Sequence, residues 1–207
     1  MKRILSFILT IICFIGIGGG ISACSATHRV TAEEYEKAFS DEAMSNLTIC
    51  IRGPYWERDQ KQQYYYRNGD TFALCLYKDE MQYYGQYYTE KDGEEAYYLY
   101  GSEYLKDFTK EFAFWRKSEI PLPENSYLHK AEFVRLYERD FHLLEYDRTT
   151  KAYQFEFTAQ GYTYLYSYYF TNKQLTKFEI STPRDEAYQL TWEFYNYNTT
   201  TIPVQVE

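Results

Sequence analysis

Four cysteines, three histidines and several glutamates spaced along alternating segments are the residues of this chain best suited to chemistry. Cys24 stands out by its setting. Met1-Lys2-Arg3 carry positive charge, and Ile4 to Ile17 (ILSFILTIICFIGI) is apolar except for Ser6 and Thr10. Gly18-Gly19-Gly20 then ends any helix, since glycine is a poor helix former, and Ile21-Ser22-Ala23 lead into the thiol. The apolar run is shorter than the ~20 residues a spanning helix needs. A charged start, an apolar middle and small residues before a cut form the pattern of an export signal. The histidines offer less. His28 lies just past the leader, and His129 and His142 have no third metal ligand at a matching spacing. No H-E-x-x-H, C-x-x-C, G-x-S-x-G or phosphate-cradling glycine loop occurs. Glu156, Glu179 and Glu193 offer an acid and base in principle, yet on alternating strands such residues form the solvated face. The sequence therefore predicts a protein that is not an enzyme and carries no metal or cofactor.

Ile21-Ser22-Ala23-Cys24 resembles the lipobox of bacterial lipoproteins, a branched aliphatic and two small residues before the cysteine. The resemblance implies that the Cys24 thiol receives a diacylglyceryl group and that the chain is cut at the Cys24 backbone nitrogen. Residues 1–23 are then a signal peptide, 24–30 a lipidated cysteine with a short tether, and 31–207 a single domain. Two acyl chains, at ~0.8 kcal/mol per buried methylene, anchor stably where one binds only marginally. The expected location is the extracytoplasmic face of a bacterial membrane, with the bilayer as the first partner through the lipid on Cys24.

Removal of residues 1–23 from the 207 leaves 184, enough for one domain with a real core. Without Lys2 and Arg3, 20 basic residues face 30 acidic ones, a formal charge of −10. Such a surface repels phosphate backbones, which excludes nucleic acid as a partner, and gives no electrostatic reason to dock on anionic lipid. Aromatics are the anomaly: 26 Tyr, 14 Phe and 3 Trp make up 21% of the chain. Tyrosine favours strands and suits half-wet surfaces through its single polar tip, so the composition predicts a β-rich globular domain.

The elements follow from periodicity. Thr31-Ala32-Glu33-Glu34 fits a capping box with Val30 and Tyr35 as its staple, predicting a helix from about Ala32 to Met44. Leu47–Arg52 alternates. Asn68-Gly69 predicts a hairpin pairing Arg67 with Asp70 and Tyr65 with Phe72, with Tyr65, Phe72, Leu74 and Leu76 on one face. Met81–Tyr88 and Ala96–Tyr100 form a second hairpin around TEKDGEE. Tyr104, Leu105, Phe108, Phe112 and Trp115 recur at helical spacing, and a second helix capped at Asn125 or Ser126 carries Leu128 through Tyr137. Five strands close the chain: Phe141–Tyr146, Tyr153–Thr158, Tyr162–Phe170, Leu175–Ser181 and Tyr188–Tyr195. Cys50 and Cys75 fall on strands separated by another, too far apart for a disulfide.

An N-terminal helix (VTAEEYEKAF), a central segment (SEYLKDFTKEFAFW) and a closing meander (YYFTNKQLTKFEIS…YQLTWEFYNYNTTTIPV) resemble the LolA/LppX-like lipoprotein-carrier superfamily over Val30 to Glu207. The implied fold class is α+β, a curved antiparallel β-sheet (half-barrel) with an N-terminal helix and a central helical lid. The implied function is non-enzymatic binding of a lipid, an acylated partner or another amphiphilic ligand between sheet and lid. Phe108, Phe112 and Trp115 would then close over Tyr162, Tyr164, Tyr166, Tyr168, Tyr188 and Trp192. A second reading is an interaction module meeting an envelope protein or glycan through tyrosine-rich sheet surface, where Tyr64, Tyr84, Tyr88 and Tyr169 interrupt a polar exterior.

Overall fold

The structure, a computed structural model, describes residues 26–53, 61–78, 80–101, 114–121, 137–182 and 185–206. Their frame is an eleven-stranded antiparallel sheet whose outermost strands do not meet, so it stays open. The strands are β1 (Asn46–Arg52), β2 (Lys61–Asn68), β3 (Thr71–Lys78), β4 (Met81–Lys91), β5 (Glu94–Gly101), β6 (Trp115–Lys117), β7 (Glu145–Asp147), β8 (Ala152–Ala159), β9 (Tyr162–Thr171), β10 (Gln174–Thr182) and β11 (Asp185–Tyr195). From β1 the chain steps outward to the β6 edge, crosses to the opposite edge at β7, and steps back until β11 pairs with β1. The first strand therefore sits in the middle, bonded to β2 on one side and β11 on the other.

Two-residue turns set the registers. Gly69 has φ +61° and, with Asp70, links β2 to β3, so Asn68 pairs with Thr71 and Tyr65 with Leu74. That corrects the expected register by two residues. Glycine at the first central position is what a II′ turn requires, and Asn68 is drawn into the strand by the Asn46 side chain (3.1 Å). A shift of two keeps parity, so Tyr65, Phe72 and Leu74 still share a face. Asp92–Gly93, Gln160–Gly161 and Asn172–Lys173 have positive φ at both central residues, as in the I′ turns that match strand twist. Within TEKDGEE only Asp92–Gly93 turns, since Thr89–Lys91 belong to β4 and Glu94–Glu95 to β5.

The one helix among the described residues, α1 (Ala32–Ala38), starts at the expected capping box: Thr31 Oγ1 accepts from the Glu34 amide (3.3 Å), and Glu34 accepts from the Thr31 amide (3.0 Å). It is shorter than expected. The Ser40 hydroxyl donates to the Lys37 carbonyl and accepts from the Ala43 amide, so it closes α1 and opens a separate turn. Phe141–Leu143 is a 3₁₀ turn rather than the expected strand, because Asp140 caps it by accepting from the His142 amide (3.0 Å). Trp115, expected on a helix, lies on strand β6. The helices expected from about Tyr104 and from Asn125 or Ser126 fall on residues 102–113 and 122–136, outside the described residues, as do Phe108, Phe112 and the leader through Cys24.

The sheet has two distinct faces. Tyr35 and Ala38 of α1, with Phe39 at its C-cap, bury against Leu47, Ile49, Tyr65, Phe72, Tyr168, Phe170, Phe178, Trp192 and Phe194, the main core. On the opposite face one row crosses all eleven strands: Trp115, Tyr100, Gly85, Cys75, Tyr64, Cys50, Glu193, Lys177, Tyr169, Ala152 and Asp147. Tyr64 stands between Cys50 and Cys75 in that row, which keeps the two thiols apart; both are free and buried. Tyr84 and Tyr88 pair with Leu76 and Phe72 on the helix face, so of the four tyrosines expected outside only Tyr64 and Tyr169 are there.

Candidate functional site

On the helix face the aromatic rings pack in series. Tyr168 lies 4.9 Å from Phe178, which lies 5.0 Å from Trp192, and Tyr137 covers Phe178 at 5.4 Å and Trp192 at 5.1 Å. Tyr35 reaches down from α1 to Tyr168 and Phe170, each at 5.8 Å. Polar tips in this layer have partners: the Tyr168 hydroxyl donates to the Tyr137 carbonyl, and the Tyr153 hydroxyl donates to the Val30 carbonyl (2.7 Å) and accepts its amide (2.9 Å). Of the expected ligand-facing residues, Tyr166, Tyr168 and Trp192 are buried in this core, Tyr164 is half-buried against Phe157, and Tyr162 is 65% exposed. Tyr188 lies on β11. The structure thus brings Tyr164, Tyr166, Tyr168 and Trp192 together on one face and separates Trp115 from them, because edge pairing with Tyr100 directs its side chain to the other side.

That other side holds an open cleft of about 560 Å³. Tyr98 and Tyr100 of β5, Trp115 and Lys117 of β6, Phe114, and Pro203 and Gln205 of the C-terminal tail line it. The tail reaches it from β1, where Thr200 accepts a place beside Thr48 (hydroxyls 3.1 Å apart) and its amide donates to the Asn46 side chain (2.9 Å). Trp115 packs on Tyr100 (5.4 Å) and edge-on to Tyr87 (6.1 Å). Gly85 makes room for the indole: a Cβ there would stand 2.6 Å from Trp115 Cη2. Ser118 extends the β6 pairing by donating its amide to the Tyr97 carbonyl (2.8 Å), which holds the edge strand in place.

No protein-family model matches this chain, and no curated protein matches it.

The cleft's chemistry is that of a platform. Three aromatic rings of half-exposed residues present flat apolar faces, Phe114 adds a ring that is 56% exposed, and Lys117 and Gln205 supply donors at the rim. Its volume lies within the ~300–1,000 Å³ range of small-ligand sites. Sequence reading missed this site, although Gly85 inside YYGQYY was a legible signal: glycine in a strand interior marks a close approach.

A second cavity, about 660 Å³, lies between α1 and the strand ends, lined by Glu33, Glu34, Lys37, Glu42, Lys173 and Tyr197 among others. Lys173 pairs with Glu34, and that contact holds the Glu34 carboxyl below its ordinary range. Elsewhere Glu179 accepts from Tyr169 (2.6 Å), Lys177 (2.9 Å) and Gln189 (3.0 Å), and Glu193 pairs with Arg52 (3.1 Å). These carboxylates are occupied as acceptors within the sheet surface. Among the described residues no three His, Cys, Asp or Glu side chains group to hold a metal. Burial pushes the Cys75 thiol up to about 12, which suppresses its thiolate.

Proposed function

We propose that this chain is a bacterial lipoprotein, cut before Cys24 and acylated on its thiol, whose single domain works outside the cytoplasm by binding rather than by catalysis. The leader's charge, apolar run and small residues support the anchor. Among the described residues no helix is long and apolar enough to cross a membrane. The ligand-binding part of the proposal rests on one observation: the aromatic cleft formed by Tyr98, Tyr100, Trp115 and Phe114, with Lys117 and Gln205 at its rim. Ring faces flanked by donors suit a sugar, whose C–H faces pack on aromatics while its hydroxyls take the polar groups. We therefore assign the cleft to a glycan of the cell envelope.

Titration with soluble cell-wall glycan fragments, followed through indole emission, tests this. A saturable change lost in Tyr98→Ala, which keeps the Trp115 reporter, supports the reading; a flat titration contradicts it. A second reading keeps the half-barrel with a helical lid and places an acyl chain on the helix face. Phe155, Phe157, Tyr164 and Leu190 favour it, since they pack against the core but remain only partly buried. Displacement of a fluorescent fatty acid, blocked by Tyr164→Ala and untouched by Trp115→Ala, distinguishes it from the first.

A further inference from the structure

The segment that follows Cys24 is docked on the domain almost from its start. Thr27 donates its amide to the Asn172 side chain (3.3 Å), and the Asn172 amide donates to the Thr27 carbonyl (2.9 Å). The His28 ring bonds the Phe170 carbonyl (2.9 Å), Arg29 lies over the Tyr146 ring (4.6 Å to its centroid), and Val30 is held on both backbone groups by Tyr153. The chain therefore runs along the end of β9, past the point where β8 begins at Ala152. Only Ser25 and Ala26 separate Cys24 from Thr27. Covalent geometry limits that span to about 11 Å between Cα atoms, at 3.8 Å per step.

We propose that the sheet end formed by the β9–β10 turn (Asn172–Lys173) and the β7–β8 turn (Arg148–Lys151) lies against the lipid headgroups of the bilayer that holds Cys24. This rests on acylation of Cys24, and it adds an orientation that a freely jointed tether would not give. A diacylglyceryl cysteine sits in the headgroup layer, which is roughly 5–7 Å deep on each side of the hydrocarbon. Even fully extended, a spacer of about 11 Å keeps Thr27, and Asn172 bonded to it, within a few ångströms of that layer. Charge permits the contact: Arg148 and Lys151 are exposed cations on a domain that is otherwise strongly acidic, and basic groups near anionic headgroups are favoured. β9 then points away from the membrane, which puts Tyr162 about 30 Å farther out at 3.3–3.4 Å per residue.

The test uses the full-length chain, isolated with its lipid and reconstituted in phosphatidylcholine and phosphatidylglycerol vesicles that carry a headgroup nitroxide. A maleimide fluorophore is placed at Arg148→Cys or at Tyr162→Cys, with the wild-type protein, whose Cys50 and Cys75 are buried, as the unlabelled blank. The expected result is several-fold stronger quenching at 148 than at 162. Insertion of about ten Gly/Ser residues between Ser25 and Ala26, with a root-mean-square reach of ~17 Å, should shrink that difference while the protein stays on the vesicles. Equal quenching at both sites in an acylated protein would overturn the orientation and leave the anchor standing. A difference unchanged by the insertion would overturn the role of the short spacer. An N-terminal fragment whose mass lacks the diacylglyceryl group would overturn the anchor and this inference with it.

Discussion

Gly85 and Trp115 decide whether the cleft exists in its present shape. A methyl group at 85 meets Trp115 Cη2 at 2.6 Å and the Gln82 side chain at 2.5 Å. The glutamine can swing away, but the indole on a three-residue edge strand must tilt off Tyr100. Gly85→Ala is therefore expected to cost about 1–3 kcal/mol, the usual range for over-packing. It should also shift indole emission to the red and weaken the glycan response; an unchanged spectrum would count against this packing. Buried protons give a second expectation at the same scale. Burial pushes Tyr35 and Tyr77 up to about 12 from 10.0, and Cys75 up to about 12 from 9.0. The unfolded chain loses these protons first, so it binds fewer of them above its own pKa values and stability falls with rising pH. The contribution is intact below pH 9 and lost as pH climbs through about 12. The urea midpoint should fall across that window, with the buried tyrosines' share of the phenolate absorbance rising together with unfolding.

Elements were legible where local chemistry decides them. The Thr31–Glu34 capping box, the Asn-Gly and Asp-Gly turns and the alternation of β8, β9 and β10 are all short-range signals, and each yields the expected type of element. Boundaries were less legible. A serine hydroxyl ends α1 at a position where the apolar spacing runs on to Met44, and an aspartate cap turns Phe141–Leu143 out of a strand. Trp115 misled for a different reason: aromatic spacing of three and four residues reads as helical, whereas pairing with Tyr100 decides the outcome at an edge. That long-range contact leaves no mark in the local pattern. For α1 the two levels separate by magnitude. Thr31→Ala removes a cap worth about 1 kcal/mol. Tyr35→Ala removes a fully buried ring that contacts Phe39, Phe141, Tyr168 and Phe170, a loss of roughly 3–5 kcal/mol by analogy with other aromatic truncations. Urea unfolding of the two variants should rank them in that order.

At the scale of the whole molecule, β1 joins two runs of strands that the sequence presents far apart. Ile49 faces Tyr65 on one side and Phe194 on the other, so joining the two runs into one sheet requires a contact between residues nearly the whole domain apart. The expected closing meander gives the β8–β9, β9–β10 and β10–β11 neighbours and the two expected hairpins give β2–β3 and β4–β5, but nothing local marks β1 as the shared member. The edges are short and charged: β6 carries Arg116 and Lys117, and β7 carries Glu145 and Asp147. Such edges discourage pairing with other chains. In the proposed function the cleft on one face, the core on the other and the docked segment at one end serve an anchored binding module, and the anchor is the premise on which the proposal depends. Intact mass of the protein extracted from membranes tests it most directly. The account predicts a chain that begins at Cys24 and carries a diacylglyceryl group, and a Cys24→Ser variant that leaves the membrane fraction. A chain that keeps residues 1–23, or a serine variant that stays with the membrane, would contradict it.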